Sequence, residues 1–168
     1  VNLPHPPYLF APDGKRSKYP PIDYYGEAWA LKEGYVDQVR YIEKRLVPTL
    51  QTILKNSTTP PVIIVQGDHG PAPSFIVEEW WKDARCLAVR AEIFNAVYLP
   101  PGGAPGAPTL NPRIGPINTM KVVLDRYFGA NLPLLPERNF LANYDSLHKY
   151  QEITKTVNET PVPDLSSK

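Results

Sequence analysis

A carboxylate and an imidazole stand side by side between two glycines in the stretch Gly67-Asp68-His69-Gly70. Aspartate supplies a hard oxygen ligand and histidine a borderline nitrogen ligand, a combination that proteins use to bind Zn, Mn or Fe. The glycines allow the backbone to turn sharply and to come close to a bound group. These residue types in this order make Asp68 and His69 candidate metal ligands.

The same four residues also fit a plain polar turn that binds nothing. In that interpretation the Asp68 carboxylate accepts backbone N–H groups, as aspartate does in many turns that contain glycine. The sequence of this stretch leaves both interpretations open.

The element that must position the pair is the apolar run at residues 62–65, which ends just before Gly67. Two prolines precede the run and no polar residue interrupts it. This pattern predicts a strand that is buried on both faces of a mainly parallel sheet. Ligands of α/β proteins bind at the carboxyl ends of such strands, so we expect the pair at the ligand-binding edge of the sheet.

Two amphipathic segments are predicted to flank the sheet. Apolar residues recur at steps of three and four in residues 28–54, which predicts a helix whose stripe faces the sheet and includes Ile53 and Leu54. Gly34 is expected to separate a leading turn, and Pro48 to cause a kink or to start a second helix. A second helix is predicted at residues 114–129. Its expected features are an N-cap near Asn118 or Thr119, a stop at Gly129, and a core stripe of Ile117, Met120, Val123, Leu124 and Tyr127.

The remaining sequence predicts shorter elements. We expect a short helix at residues 76–82, a second strand at residues 90–100, and irregular chain with at most one strand at residues 130–150. Arg90 and Glu92 are interpreted as an ordinary surface pair at the start of the second strand. The order of elements predicts an α/β fold with helices packed on a sheet, formed by residues 1–150 and followed by a frayed polar tail at residues 151–168.

Length and composition narrow the class of protein. A chain of 168 residues with 42% hydrophobic content suits one domain with a substantial core. A net charge of +1 without a basic block gives no indication of nucleic acid or of an anionic membrane surface as a partner. The single cysteine, Cys86, excludes an intrachain disulfide, and we interpret it as a small buried apolar residue.

Three segments, in order, resemble the C-terminal portion of the alkaline phosphatase-like superfamily, in its sulfatase and lipoteichoic-acid-synthase-like branch. The stretch His5-Pro-Pro-Tyr8 is similar to that branch's His-x-Pro-Phe/Tyr. Residues 62–70 are similar to its strand ending in Ser/Gly-Asp-His-Gly. Residues 96–102, followed by residues 117–119, are similar to its strand ending in Pro-Gly and the polar-capped helix after it.

This resemblance implies a site and an activity. Asp68 and His69 would hold a catalytic divalent metal (Mn, Zn, Mg or Ca), and His5 would contact the oxygens of the substrate or a second metal. A dication acts as a Lewis acid on a transferring phosphoryl or sulfuryl group, and a histidine stabilises its equatorial oxygens. The implied activity is hydrolysis or transfer of a phosphate or sulfate ester, on a small molecule or a polymer.

The nucleophile of the family matches no residue of this sequence. In the family it is a Ser, Thr or formylglycine-type Cys near the N-terminus, beside a further metal-binding acid. Cys86 lacks the Cys/Ser-x-Pro-x-Arg context, so we reject it in that role. The chain starts at Val1 and reads like the middle of a protein. We expect it to be inactive alone and to be completed by an N-terminal part of the same domain.

By analogy with the same branch, the parent protein is expected to be extracytoplasmic and membrane-anchored, with no membrane contact made by this segment itself.

Two other functions stay open. A non-catalytic module that keeps the fold would bind sugar or polymer by stacking on its Tyr- and Trp-rich loops. Alternatively, the chain is an excised fragment that shows only the fold, and the function belongs to the parent protein. Metal affinity that depends on both Asp68 and His69 favours the enzyme, whereas metal-independent carbohydrate binding favours the module.

Overall fold

A computed structural model of the chain describes residues 4–19, 32–71, 79–143 and 146–162. Within these residues it shows a mixed α/β fold with four α-helices and two small antiparallel sheets, so the predicted α/β class is confirmed. In chain order the elements are α1 (Lys32–Asn56), β1 (Ile63–Gln66), a 3₁₀ turn (Trp80–Lys82), α2 (Ala84–Ala91), β2 (Asn95–Tyr98), α3 (Pro116–Phe128), β3 (Phe140–Asn143), β4 (Ser146–Glu152) and α4 (Thr154–Glu159).

The chain divides into two compact units. The first consists of Val1–Pro60 and Ala72–Trp80, and it contains the N-terminal loop and α1. The second consists of Pro61–Pro71 and Trp81–Lys168, and it contains both sheets and the other three described helices. No helix in the described part of the chain is both long and apolar enough to cross a membrane.

In the first unit, the N-terminal loop packs on the beginning of α1. The buried Tyr8 ring lies against Gly34, where an added Cβ atom would come within 2.4 Å of the ring. Gly34 lies inside α1, so the prediction that it separates a leading turn is wrong. The helix keeps a glycine here because the aromatic ring occupies the space of a side chain.

The fully buried side chain of Gln38 holds the same loop by hydrogen bonds. Its amide oxygen accepts the backbone N–H of Leu9 at 2.8 Å. Its amide nitrogen lies 3.2 Å from the carbonyl oxygens of both Pro4 and His5. One glutamine therefore fixes the backbone on both sides of the His5-Pro-Pro-Tyr8 stretch.

Helix α1 continues without a break through Pro48, so the predicted second helix is wrong. In the turn after the proline, the hydroxyls of Thr49 and Thr52 donate to the carbonyls of Arg45 and Pro48, one turn earlier, at 2.8 Å. The predicted stripe is also wrong at its C-terminal end, because Ile53 and Leu54 are exposed there. Amphipathic spacing thus marks the helix correctly but does not show how far along it the packing extends.

In the second unit, β1 pairs with β2 in antiparallel register from Ile63 opposite Tyr98 to Gln66 opposite Asn95. The predicted strand after Pro61 is therefore confirmed, but the mainly parallel sheet is wrong. Residues 63–65 are half-buried, so burial on both faces is wrong as well. A short apolar run predicts a strand, but it carries no information about the direction of the neighbouring strand.

Helix α2 occupies a stretch in which the sequence predicted none, and it contains the buried run Cys86 to Val89. Its N-cap is Asp83, whose carboxylate accepts the backbone N–H groups of Arg85 at 2.8 Å and of Cys86 at 3.2 Å. Strand β2 begins only at Asn95, so the prediction of a strand from residue 90 is wrong at its start. An apolar run of four residues does not show a helical period, which is why the pattern failed here.

Helix α3 ends at Gly129 as predicted, with this residue in the left-handed conformation (φ 62°). Its N-cap is Gly115 and not Asn118 or Thr119, which lie buried in the first turn. Asn118 exchanges hydrogen bonds with the backbone of Leu135, at 2.7 Å as donor and 2.9 Å as acceptor.

These polar partners set the orientation of α3 about its axis. Thr119 accepts a hydrogen bond of 3.2 Å from Asn95 on β2, which places the Asn118–Thr119 face inward. The buried apolar residues are Val122 and Val123. Two members of the predicted stripe, Ile117 and Met120, are 65% and 48% exposed, so that stripe is wrong in part.

Strands β3 and β4 form the second sheet and pair antiparallel from Phe140 opposite Glu152, with an irregularity next to Ala142. The prediction of at most one strand at residues 130–150 is therefore wrong. The stretch predicted as a frayed tail begins inside β4 and includes α4. Its polar residues face solvent from these regular elements, so the polar composition did not indicate fraying. The structure describes this stretch as far as residue 162. The predicted helix at residues 76–82 is described only from residue 79, where a 3₁₀ turn stands.

Candidate functional site

Asp68 and His69 occupy the turn directly after β1, as the sequence predicted for them. The backbone N–H of Gly67 donates to the carbonyl of Phe94 at 2.8 Å, and that of Gly70 donates to the carbonyl of Arg90 at 2.8 Å. The two ends of the Asp-His dipeptide are thus tied to the last turn of α2 and to the segment that joins α2 to β2. The turn is therefore anchored on both sides of Asp68 and His69.

Gly70 allows this anchoring because it lies directly on the C-terminal end of α2. A Cβ atom at Gly70 would come within 2.0 Å of the carbonyl oxygen of Val89 and 2.6 Å of that of Glu92. The sequence interpretation gave the glycines the role of admitting a bound group. At Gly70 that interpretation is incomplete, because the atoms that approach closely are backbone carbonyl oxygens at the C-terminal end of α2.

One contact of the His69 ring favours a particular neutral tautomer. Its Nδ1 lies 2.9 Å from the carbonyl oxygen of Gly70. A carbonyl can only accept, so the proton of the neutral ring is on Nδ1 and Nε2 carries the lone pair. Metal-binding histidines commonly use this arrangement, in which one ring N–H donates to a backbone carbonyl and fixes the orientation of the other nitrogen.

The other ring nitrogen of His69 lies beside a carboxylate, with Nε2 3.5 Å from Oδ2 of Asp68. Two ligands at about 2.1 Å from one tetrahedral ion are about 3.4 Å apart, whereas neighbouring ligands of an octahedral ion are about 3.0 Å apart. The side chains of Asp68 and His69 are 87% and 44% exposed, so an ion can reach them. Because one member of the pair is an imidazole nitrogen, an ion at this position would be expected to be Zn²⁺ or Mn²⁺ and not Mg²⁺ or Ca²⁺.

The number of protein ligands at this position is small. Among residues 4–19, 32–71, 79–143 and 146–162, no group of three or more His, Cys, Asp or Glu side chains is arranged to hold a metal ion. Asp68 and His69 would thus supply two donors, and a four-coordinate ion there would take its other ligands from water, from substrate or from residues outside this group.

Arg90 belongs to the same group, and the sequence interpretation missed it. Its Nη1 donates to the Gly70 carbonyl at 2.7 Å, so Arg90 and His69 share one acceptor. Arg90 lies in the last turn of α2, and the expected surface pairing with Glu92 at a strand start is wrong. No spacing rule connects residues 70 and 90, since only the fold brings the end of α2 to the end of β1.

His5, the third predicted site residue, belongs to the first unit, whereas Asp68 and His69 belong to the second. Its Nδ1 donates to the carbonyl of Pro6, and its own carbonyl accepts from Gln38. The His5 segment is therefore held in a defined conformation within its unit.

Comparison of the chain with protein-family models, curated proteins and solved structures finds no match. The resemblance to the sulfatase-like branch accordingly stays a prediction. The function proposed for the chain therefore depends on its own residues and geometry, above all on the turn that carries Asp68 and His69.

Cys86 lies inside α2 and is fully buried, as predicted. Burial raises the pKa of its thiol, with the neighbouring Asp83 carboxylate as a second cause. A nucleophilic cysteine needs a lowered pKa and access to substrate. The structure therefore agrees with the rejection of Cys86 as a nucleophile.

Proposed function

We propose that this chain is the metal-holding part of a metal-dependent hydrolase or transferase that acts on phosphate or sulfate esters. The observation that carries the proposal is the geometry of His69, whose Nδ1 is committed to the Gly70 carbonyl and whose Nε2 lies 3.5 Å from the Asp68 carboxylate. The same contact is an ion pair when His69 is protonated, so the metal titration described below decides between a metal site and a plain polar turn.

In this proposal Asp68 and His69 bind the dication through Oδ2 and Nε2. When bound, the dication supplies Lewis-acid polarisation of the transferring group. The Gly70 carbonyl keeps the His69 ring in its binding orientation. Arg90 donates to the same carbonyl at 2.7 Å and so helps to fix its position.

His5 is proposed as a contact for the ester oxygens or as a ligand of a second metal. No residue of the 168 is assigned as the nucleophile, because Cys86 is buried and the family's nucleophile motif has no counterpart in the sequence. The proposal therefore expects no appreciable turnover from the chain alone. Phosphodiesterase or sulfatase activity of the chain that survives Asp68→Ala would contradict the site assignment.

The test is isothermal titration calorimetry with Zn²⁺ and Mn²⁺ on the chain and on the double variant Asp68→Ala, His69→Ala. Two protein ligands give weak binding, so we expect a dissociation constant in the micromolar to millimolar range that the double variant loses. A matched control is the variant His148→Ala, Glu159→Ala, which removes one exposed imidazole and one exposed carboxylate elsewhere in the same unit.

The control is expected to bind both ions like the unmodified chain. Equal loss of binding in both double variants would indicate adventitious surface binding and would contradict the proposal. Unchanged heats in the Asp68, His69 variant would contradict it as well, and would favour the interpretation of this stretch as a polar turn.

A further inference from the structure

Helix α3 carries a second apolar stripe, on the side that faces away from its buried residues. Ile117, Met120, Leu124 and Phe128 follow one another at steps of three, four and four residues, the spacing of a seam that packs on another helix. Leu124 is half-buried, whereas Ile117, Met120 and Phe128 are 65%, 48% and 75% exposed. The stripe is therefore apolar in composition but open to solvent along its length.

The buried face of α3 lies opposite this stripe. It consists of Asn118, Thr119, Val122 and Val123. At 3.6 residues per turn, the centres of the two sets are about 180° apart around the helix axis. The contacts that hold α3 in the second unit thus leave the stripe exposed.

A segment after α3 runs back along one edge of the stripe. Asp125 accepts the backbone N–H of Leu132 at 2.7 Å, and the Lys121 ammonium donates to the carbonyl of Pro133 at 2.6 Å. The next two residues, 134–135, are leucines that are 42% and 47% exposed, and they widen the apolar surface. We call the stripe together with these two leucines the α3 patch.

The α3 patch is complementary to a second copy of itself. Lys121 and Asp125 border one side of the stripe, one helical turn apart and with opposite charges. When two such helices pack antiparallel about a twofold axis at the middle of the stripe, each lysine lies level with the aspartate of the other copy, and Ile117 lies opposite Phe128. A parallel pair would instead bring like charges together. The charge pattern therefore favours an antiparallel second copy as the occupant of the patch.

We propose that the chain forms a twofold homodimer through the α3 patch, with the α3 helices of two copies packed antiparallel. Exposed apolar patches of this kind cover roughly 300–600 Å², whereas a standard interface buries about 800 Å² on each partner. The dimer is therefore expected to dissociate in the micromolar range. No residue of the patch belongs to the Asp68–His69 group, so the inference goes beyond the proposed ester chemistry and does not depend on it.

The test is sedimentation-velocity ultracentrifugation of the chain from about 1 μM to about 500 μM, a range that spans the expected dissociation constant. We expect a concentration-dependent shift from monomer to dimer without larger species, because a twofold interface closes on itself. A chain that stays monomeric throughout would overturn the inference and leave the patch to another occupant, such as the expected N-terminal part of the domain. A series of ever larger species would overturn it as well.

Single charged substitutions locate the interface. Ile117→Glu is expected to weaken dimerisation at least about tenfold, since it sets a carboxylate against the Phe128 ring of the other copy. The matched control is Leu147→Glu, because Leu147 on β4 is an apolar residue of the same unit that is 58% exposed. The control is expected to dimerise within about twofold of the unmodified chain. Equal weakening by the two substitutions would place the contact outside the α3 patch and overturn the inference.

Mixing two variants tests the antiparallel arrangement. Phe128→Lys alone is expected to weaken dimerisation like Ile117→Glu, because its ammonium meets Ile117 of the other copy. In an equimolar mixture of the two variants, the antiparallel pair brings the new carboxylate opposite the new ammonium and keeps the second contact between Ile117 and Phe128.

The mixture is therefore expected to associate at least about tenfold more tightly than either variant alone. Both positions are exposed in the chain, and circular dichroism checks that each variant keeps its fold. A mixture of folded variants that associates no better than its components would overturn the antiparallel dimer.

Discussion

Gly70 and Arg90 hydrogen-bond to each other twice. The backbone N–H of Gly70 donates to the Arg90 carbonyl at 2.8 Å, and the Arg90 guanidinium donates to the Gly70 carbonyl at 2.7 Å. The same Gly70 carbonyl accepts Nδ1 of His69. Through this reciprocal pair the end of β1 is docked on the end of α2, and the imidazole is oriented toward the Asp68 carboxylate.

The first prediction concerns the docking contact. Gly70→Ala is expected to destabilise the second unit by about 2 kcal/mol or more, because the new methyl group meets backbone carbonyls that cannot move aside as a side chain can. Val89 O would be only 2.0 Å from the added Cβ atom. The measurement is the free energy of unfolding from urea denaturation.

The matched control is Gly67→Ala, at the other end of the same turn. The nearest atom to a Cβ at Gly67 is 3.7 Å away, an ordinary contact, and Gly67 is not among the described residues with positive φ. We expect its stability to stay within about 1 kcal/mol of the unmodified chain. Equal destabilisation by the two substitutions would contradict the docking of Gly70 on α2.

The second prediction concerns Gln38 in the first unit. Gln38→Leu keeps the bulk of the side chain but leaves the Leu9 N–H and the Pro4 and His5 carbonyls without their partner. Buried unpaired groups cost about 1–3 kcal/mol each, so we expect a loss of about 2–4 kcal/mol and faster amide hydrogen exchange at Leu9. Gln51→Leu, at an exposed position of α1, is the control and is expected to change stability little. Unchanged exchange at Leu9 in the Gln38 variant would contradict this role.

The third prediction concerns pH and the N-cap of α2. The Arg85 guanidinium, aided by the backbone N–H groups of Cys86 and Arg85, lowers the pKa of Asp83 to about 2. The unfolded value is about 3.9, so the charged cap contributes stability above pH 4 and loses that contribution as pH falls from about 4 to about 2. Asp83→Asn keeps a cap acceptor but does not titrate.

Thermal melts of both proteins between pH 2 and pH 6 measure this difference. The unmodified chain is expected to lose more thermal stability below pH 4 than Asp83→Asn does. Glu152, whose pKa is lowered by Arg138 and then by Thr154, titrates in both proteins and so cancels in the comparison. If the melting temperatures of both proteins fall by the same amount across this pH range, the Asp83 carboxylate does not stabilise α2 as proposed.

The parts of the fold that the sequence predicted correctly are those set by local pattern. The apolar run after Pro61 forms β1, and Asp68 and His69 follow it in a turn as expected. Gly129 ends α3 because a left-handed residue is needed there, and Cys86 is buried. Each of these features depends on residues within a few positions of one another.

The parts that failed depend on contacts between distant residues. Asn118 and Thr119 are buried because Leu135 and Asn95 satisfy their polar atoms, and those partners are 17 and 24 residues away. A prediction from apolar spacing alone places such polar residues on the surface. It therefore assigns the core-facing stripe of α3 to a face that is rotated about the helix axis from the one that is buried. Arg90 reaches the candidate site in the same way, across 20 residues.

The most direct test of the central proposal is ¹⁵N NMR of the histidine rings during a Zn²⁺ titration, with the exposed His148 on β4 as an internal reference. The proposal predicts that neutral His69 carries its ring proton on Nδ1 before zinc is added. It also predicts that Zn²⁺ shifts the Nε2 resonance of His69, leaves its Nδ1 proton in place, and has no such effect on His148. A proton on Nε2 of His69, or ring resonances that zinc does not move, would contradict the assignment of His69 and Asp68 as a metal site.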